Sequence, residues 1–322
     1  MKAAVVREVG RPPVLSEFAE PKLESGEVMV TMAASAVNPL TLTRAAGAHY
    51  SANVPPPFVA GIDGVGRTEE GTRVYLAQPP RAPYGTLAER AAVPQTSLIR
   101  LPDSLPDALA AAVAIPALSC WNPLVHRAPI RSGESVLVHG ATGAAGHMAV
   151  QVAKHLGARA VVATGRSRAK LEALRAIGVD RTIPLDQPSE TIRSAVREAV
   201  RELQVGVVLD YLWGPSAVDV LAAAGGPNGP RGSSVIRYVQ IGAITGPTTP
   251  VDSAVLRSSG LEVLGSGIGS STPQEVKESL VALFAATASA RFRLETDVQP
   301  LSAIDGRWGS TGEERRLVFS LS

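Results

Sequence analysis

With 322 residues, 45% of them hydrophobic and 4% aromatic, the chain is long enough for two globular domains. Its 31 basic and 29 acidic residues leave a net charge of +2 without long runs of either sign, which excludes an electrostatic case for nucleic acid or a membrane surface. The single cysteine, Cys120, excludes an internal disulfide and a cysteine-built metal cluster, and no secretory signal or stretch of about 18 apolar residues is expected, so a cytoplasmic protein is expected.

From Lys2 to about Arg100 the texture is that of β structure. Lys2–Val6, Glu27–Met32, Gly71–Leu76 and Thr86–Ala91 are candidate strands of a small barrel. Between them lie Asn38-Pro39, a polar segment with His49 and Tyr50, and Pro55-Pro56-Pro57, which forbid a helix. Gly61, Gly64 and Gly66 then allow tight turns. Pro102 to Ala117 is alanine-rich and helical, and Ser119-Cys120-Trp121 begins a further helix.

The stretch Val136 to Ala158 predicts a buried strand, a glycine turn and a helix closing at Gly157. Gly143 and Gly146 fit the last two glycines of G-x-G-x-x-G, while Ala141 stands at the first. A pyrophosphate at a helix N-terminus takes hydrogen bonds from unpaired backbone N–H groups, and side chains in the turn would hold it away. A tight turn whose glycines serve only close packing is the alternative.

Strands and helices then alternate. Strands are predicted at Arg159–Thr164, Val179–Pro184, Gly206–Asp210, Val235–Ile241 and Leu261–Gly265. Helices are predicted at Arg168–Ile177, Ser189–Leu203, Ser216–Ala224 and Pro273–Ala288. The pattern is α/β, a doubly wound parallel (Rossmann) sheet. Gly225–Ser234 reads as a surface loop, and Glu295–Pro300 and Arg316–Leu321 as strands returning to the first domain.

After the second strand, where an acid would mark a free 2′-hydroxyl, the sequence runs Gly165-Arg166-Ser167-Arg168-Ala169-Lys170. Three cations at a helix start oppose the helix dipole unless an anion sits among them. A 2′-phosphate would be that anion, which favours NADPH over NADH; three solvated surface charges are the alternative.

AVNP at Ala36–Pro39, AGIDGVG at Ala60–Gly66, LSCW at Leu118–Trp121 and VLVHGATGAAG at Val136–Gly146 together resemble the medium-chain dehydrogenase/reductase superfamily, in its zinc-free quinone oxidoreductase branch. The resemblance implies a GroES-like β-barrel domain from 1–119 and 290–322, a Rossmann domain from 120–289, an active site in the cleft and a homodimer through the sixth strand. In zinc-dependent relatives the ligands are Cys where Asn38 stands, His where Ile62 stands and Cys near Ile115, and none of these three residues is a plausible zinc ligand. Asp63 keeps an acid where relatives carry Glu, and Thr41 stands where quinone reductases of the branch often have Asp.

Without a Lewis acid the chemistry suits acceptors that take hydride easily, quinones or α,β-unsaturated carbonyl compounds. The resemblance implies that Tyr50 meets the substrate oxygen, a surface tyrosine being the alternative, and that Asn38 either hydrogen-bonds substrate or shapes its turn. It also gives the pyrophosphate to the turn of Gly140, Thr142, Gly143, Ala144, Ala145 and Gly146, and the 2′-phosphate to Arg166, Ser167 and Lys170. The nicotinamide goes to Ser119, Ile241, Gly242, Gly265 and Ser266. A short-chain-type NAD(P) protein would need Tyr-x-x-x-Lys, and no tyrosine here has Lys four residues on. A non-catalytic NADPH-binding or sensor protein remains as the second reading.

Overall fold

Six strands of the second half form one parallel sheet, in the order Arg181–Pro184, Val161–Gly165, Ser135–His139, Val205–Asp210, Ile236–Gln240, Leu261–Gly265. A computed structural model describes residues 1–49, 52–226, 235–290, 292–310 and 315–321. In sequence rank the strand order is 3-2-1-4-5-6, that of a doubly wound Rossmann sheet, whose order reverses beside the first strand. The three central strands are buried at every residue. Such strands are covered on both faces, and their runs of Val, Leu and Ala follow from that.

The crossover helices are amphipathic or apolar according to what they cover. Ser189–Leu203 turns Ile192, Val196 and Ala199 inward, where they join Leu137, Val208 and Tyr238 in one core. Ala144–His155 buries Met148, Val150 and Val152.

The other strands make a seven-stranded sheet and a three-stranded one. Glu27–Ala36 is the spine of the larger sheet. It pairs antiparallel with Gly64–Thr68, Arg90–Pro94 and, through Ala34–Ala36, with Arg316–Ser320. In the smaller sheet Lys2–Val6 lies between Val14–Glu17 and Phe58–Val59.

The strand expected at Thr86–Ala91 is displaced to Arg90–Pro94. Thr86 is held elsewhere, its hydroxyl donating to the Asp63 carbonyl at 2.8 Å. The helix expected to end at Ala117 and its successor beginning at Ser119 are one helix, Asp107–Asn122, with Pro116 inside it. Contacts divide the chain into one unit of Met1–Ile115 with Val276–Ser322 and a second of Pro116–Glu275. Both crossings therefore fall inside helices, Asp107–Asn122 and Pro273–Ala290. Contrary to expectation, Asp107–Arg127 is long and apolar enough to cross a membrane, but 67% of its apolar window is buried, as in the core helix of a globular protein. The expected loop at Gly225–Ser234 lies, beyond Gly226, outside the described residues.

Candidate functional site

In the second unit, each glycine of the turn after Ser135–His139 has a separate physical reason. Gly140 takes φ +92°, a left-handed conformation that favours glycine, and a Cβ there would lie 2.8 Å from the Leu212 side chain. Its N–H donates to the Thr164 hydroxyl at 3.2 Å, and the next N–H, of Ala141, to the Thr164 carbonyl at 2.9 Å. A Cβ on Gly146 would lie 2.4 Å from both Ala141 Cα and the Gly140 carbonyl oxygen, so the helix approaches the strand more closely than any side chain permits. Gly143 differs: its φ of −90° suits any residue, and a Cβ there would meet nothing within 4 Å.

Gly143 is also the N-cap of Ala144–His155, and no side chain caps that helix. The first N–H groups therefore point out of the helix end with the dipole behind them, the arrangement that receives an anion. Exposed Gly143, half-buried Thr142, Ala144 and Ala145, and the open space over Gly143 fit a pyrophosphate drawn against the backbone.

The neighbouring strands end around this turn. Asp210, fully buried, closes the fourth strand; its Oδ1 accepts from the N–H of Leu212 at 2.8 Å and of Trp213 at 3.1 Å, and its Oδ2 from the Tyr238 hydroxyl at 2.7 Å. These bonds hold Trp213 at φ +52°, a left-handed conformation that is costly for a large side chain. The Asp210 carbonyl accepts from the N–H of Ile241 (2.8 Å) and Gly242 (3.1 Å), and a Cβ on Gly242 would lie 2.5 Å from the Tyr211 carbonyl oxygen. Ser266 N–H donates to the Gln240 carbonyl at 2.9 Å, and exposed Gly265 has open space where its Cβ would be. Gly140–Gly146 thus follows the first strand and Ile241-Gly242 the fifth, on either side of the fourth strand that ends at Asp210, while Gly265-Ser266 follows the sixth.

Ser119 is committed within the protein. Its hydroxyl donates to the Pro116 carbonyl at 2.6 Å and lies 3.3 Å from the Tyr211 hydroxyl. Beyond the second strand Ser167 caps Arg168–Ala173, its Oγ accepting from the Lys170 N–H at 3.4 Å. Arg168 is paired with Asp186 at 3.1 Å, a partner the linear reading does not see, so one of the three cations is already compensated. Arg166 is exposed, and among the described residues it makes no ion pair.

In the first unit, Asn38 is 2% exposed and caps Pro39–Ala45, its Oδ1 accepting from the Thr41 N–H at 2.9 Å; this is the turn-shaping role. Asp63 is buried with Oδ2 accepting from the Tyr75 hydroxyl at 3.0 Å and Oδ1 without a partner. Burial pushes its carboxyl up to about 7, against the Tyr75 hydrogen bond and the Arg316 charge, which pull it down. Thr41 and Arg44 line an open cavity of about 480 Å³ whose walls include the Asn53–Pro56 segment and Pro79, Pro80 and Tyr84. Tyr50 lies outside the described residues.

The zinc-binding dehydrogenase family matches residues 144–286. The chain is 32% identical over 203 residues to 2-methylene-furan-3-one reductase of Solanum lycopersicum, covering 57% of this chain and 52% of that protein. It is also 32% identical over 178 residues to human quinone oxidoreductase, covering 51% and 53%. A solved structure, the quinone oxidoreductase of Thermus thermophilus, superposes with a TM-score of 0.81 at 29% identity over 99% of this chain and 100% of that one. In fold and in sequence the chain is similar to quinone oxidoreductases of the medium-chain dehydrogenase/reductase superfamily. Its two units are accordingly the GroES-like and Rossmann parts of that fold. The chain spans about half the length of the curated relatives it matches.

The resemblance puts Asn38, Ile62 and Ile115 where zinc-dependent relatives carry their ligands. Asn38 is a helix cap, Ile62 is a buried aliphatic residue and Ile115 lies within Asp107–Asn122. Among the described residues no group of three or more His, Cys, Asp or Glu side chains could hold a metal ion. Cys120 is fully buried, and burial pushes its thiol up to about 12, which leaves no thiolate for nucleophilic work near neutral pH.

Proposed function

We propose that the protein is an NADPH-dependent oxidoreductase that transfers hydride to a quinone or to an α,β-unsaturated carbonyl compound without zinc. The observation that carries this reading is the uncapped helix start at Gly143, with clear space over its backbone. There the N–H groups of the first helical turn bind the pyrophosphate. Arg166, Ser167 and Lys170 hold the 2′-phosphate, and Ser119, Ile241, Gly242, Gly265 and Ser266 orient the nicotinamide.

Bound NADPH supplies the hydride, and the protein supplies binding and orientation. Alcohol oxidation would need an alkoxide stabiliser, and the residues at Asn38, Ile62 and Ile115 offer no donor set for one. A quinone or an enone takes hydride into a conjugated oxyanion, for which hydrogen bonds suffice. Tyr50 and the amide nitrogen of Asn38, the half of that side chain left by the cap, are the proposed donors to the acceptor oxygen. The sixth strand, Leu261–Gly265, has one paired edge among the described residues, with exposed Val263 on it, and is the proposed homodimer edge. A cytoplasmic location completes the reading.

The deciding experiment follows NADPH and NADH oxidation side by side over a panel of quinones, enals, enones and secondary alcohols. Turnover of NADPH with quinones or enones is expected. Binding of NADPH without turnover on any acceptor would replace the enzyme with a nucleotide-binding sensor, and failure to bind NADPH would overturn both.

A further inference from the structure

The cavity of the first unit is apolar in most of its lining, with Val54, Phe58, Ile62 and Pro80 among its walls, and it contains one formal charge, Arg44. No Asp or Glu lines it, and among the described residues no carboxylate pairs with Arg44. The guanidinium is half-buried, and the desolvation lowers its pKa. A place in the last turn of Pro39–Ala45 favours a cation, but a surface arginine would have that benefit in full water. A second observation points the same way. Thr41, one helical turn before Arg44, is 1% exposed, lines the same cavity, and has a hydroxyl oxygen with no hydrogen-bond partner. Buried hydroxyls normally have partners, so the orphan leaves hydrogen-bonding capacity unused in the helical turn that also carries Arg44.

We propose that this cavity binds a carboxylate-bearing acceptor, the carboxylate on Arg44 and Thr41 and the apolar body along Phe58 and Ile62. The inference rests on the hydride-transfer reading and narrows its substrate to anionic α,β-unsaturated carbonyl compounds. A volume of about 480 Å³ accommodates a chain of about six carbons with room to spare. An arginine fork matches a carboxylate in two parallel hydrogen bonds, which a lysine reproduces only as a point charge.

Two measurements on the full chain test this. Calorimetric titration without nucleotide compares hexanoate with hexanamide. Hexanoate is expected to bind at least tenfold more tightly, the ratio falling to about one in Arg44→Gln and recovering in part in Arg44→Lys. Thr41→Val removes only the orphan hydroxyl, so it is expected to fold at least as well as the parent and to weaken hexanoate. A parent ratio near one, or a ratio unchanged in Arg44→Gln, overturns the inference. Turnover with NADPH then compares 2-hexenal with the six-carbon enal carrying a terminal carboxylate, and a KM at least tenfold lower for the charged acceptor is expected. Should neither enal nor any panel acceptor be reduced while the hexanoate ratio holds, the carboxylate site stands and hydride transfer falls. Equal KM values for the two enals would leave hydride transfer standing and overturn the acceptor class.

Discussion

Replacing Gly143 by alanine separates a glycine kept for a ligand from one kept for packing. The backbone at Gly143 is extended, and the added methyl would meet no atom within 4 Å, so the fold has no objection. Exchanging glycine for alanine at an N-cap costs up to about 1 kcal/mol, a shift of about 4 °C or less in Tm for a chain of this size. A pyrophosphate seated on the helix start would meet the methyl in the space its oxygens need. Losing one charge-assisted hydrogen bond, worth about 1.5–3 kcal/mol, weakens binding about 10- to 100-fold. Gly146→Ala is the contrast: its methyl would lie 2.4 Å from backbone atoms of Gly140 and Ala141, which cannot rotate away. Overpacking of that kind costs about 1–3 kcal/mol or more, so its Tm is expected to drop before any question of ligand arises. Thermal melts with and without NADPH, together with a fluorescence titration, read both effects. Unchanged NADPH affinity in Gly143→Ala would refute the reasoning and leave a turn whose glycines serve packing alone.

The 2′-phosphate assignment predicts that Arg166→Ala combined with Lys170→Ala weakens NADPH at least tenfold more than NADH, and equal losses in parallel titrations would remove it. Asp63 makes a prediction about pH. Its folded carboxyl is raised to about 7 from an ordinary 3.8, so the folded state holds a proton that the unfolded state releases. The group's contribution to stability is therefore complete below about pH 4 and is lost as pH climbs toward 7. Relative to Asp63→Asn, the parent's Tm should fall across that interval, and a relative rise would show the carboxyl to be ionised in the fold. Cys120, buried and with its thiol raised to about 12, is expected to resist thiol reagents at pH 8 until the protein is unfolded; labelling at the rate of a free thiol would contradict its placement.

Much of the parallel sheet could be read from the sequence because its central strands are buried on both faces, which writes uninterrupted apolar runs such as Val136–Val138 and Val161–Ala163. Ser189–Leu203 was equally plain, since it sets Ile192, Val196 and Ala199 on one face of an otherwise charged helix. The segment around Leu118 carried no such contrast. Alanines precede it and Ser119 and Cys120 follow, with no polar face to show that the stretch ending at Ala117 and the one beginning at Ser119 are a single helix. The crossings between units were hidden for a related reason: both lie within helices, where no loop-like composition marks a boundary.

Local signals also located part of the candidate site. Asn38-Pro39 is an N-cap followed by a residue suited to the first helical turn, and the structure uses it so. The missing first glycine resolves in the same way. Ala141 sits fully buried at that place, and the left-handed turn is made one residue earlier, at Gly140. What no local pattern could supply were the partners of buried and charged groups. Asp186 meets Arg168 across 18 positions and Asp210 meets Tyr238 across 28. Asp210 matters most of these, because it closes the fourth strand, holds the Trp213 turn and, through its carbonyl, anchors Ile241 and Gly242. The cavity around Arg44 is non-local in the same sense. Its walls come from Val9, the first short helix with Gly47, the stretch from Ala52 to Ile62 and the stretch from Pro79 to Tyr84, four pieces that share no motif. An uncompensated charge is a property of what surrounds it, so Arg44 reads as one more surface cation until those pieces are folded together.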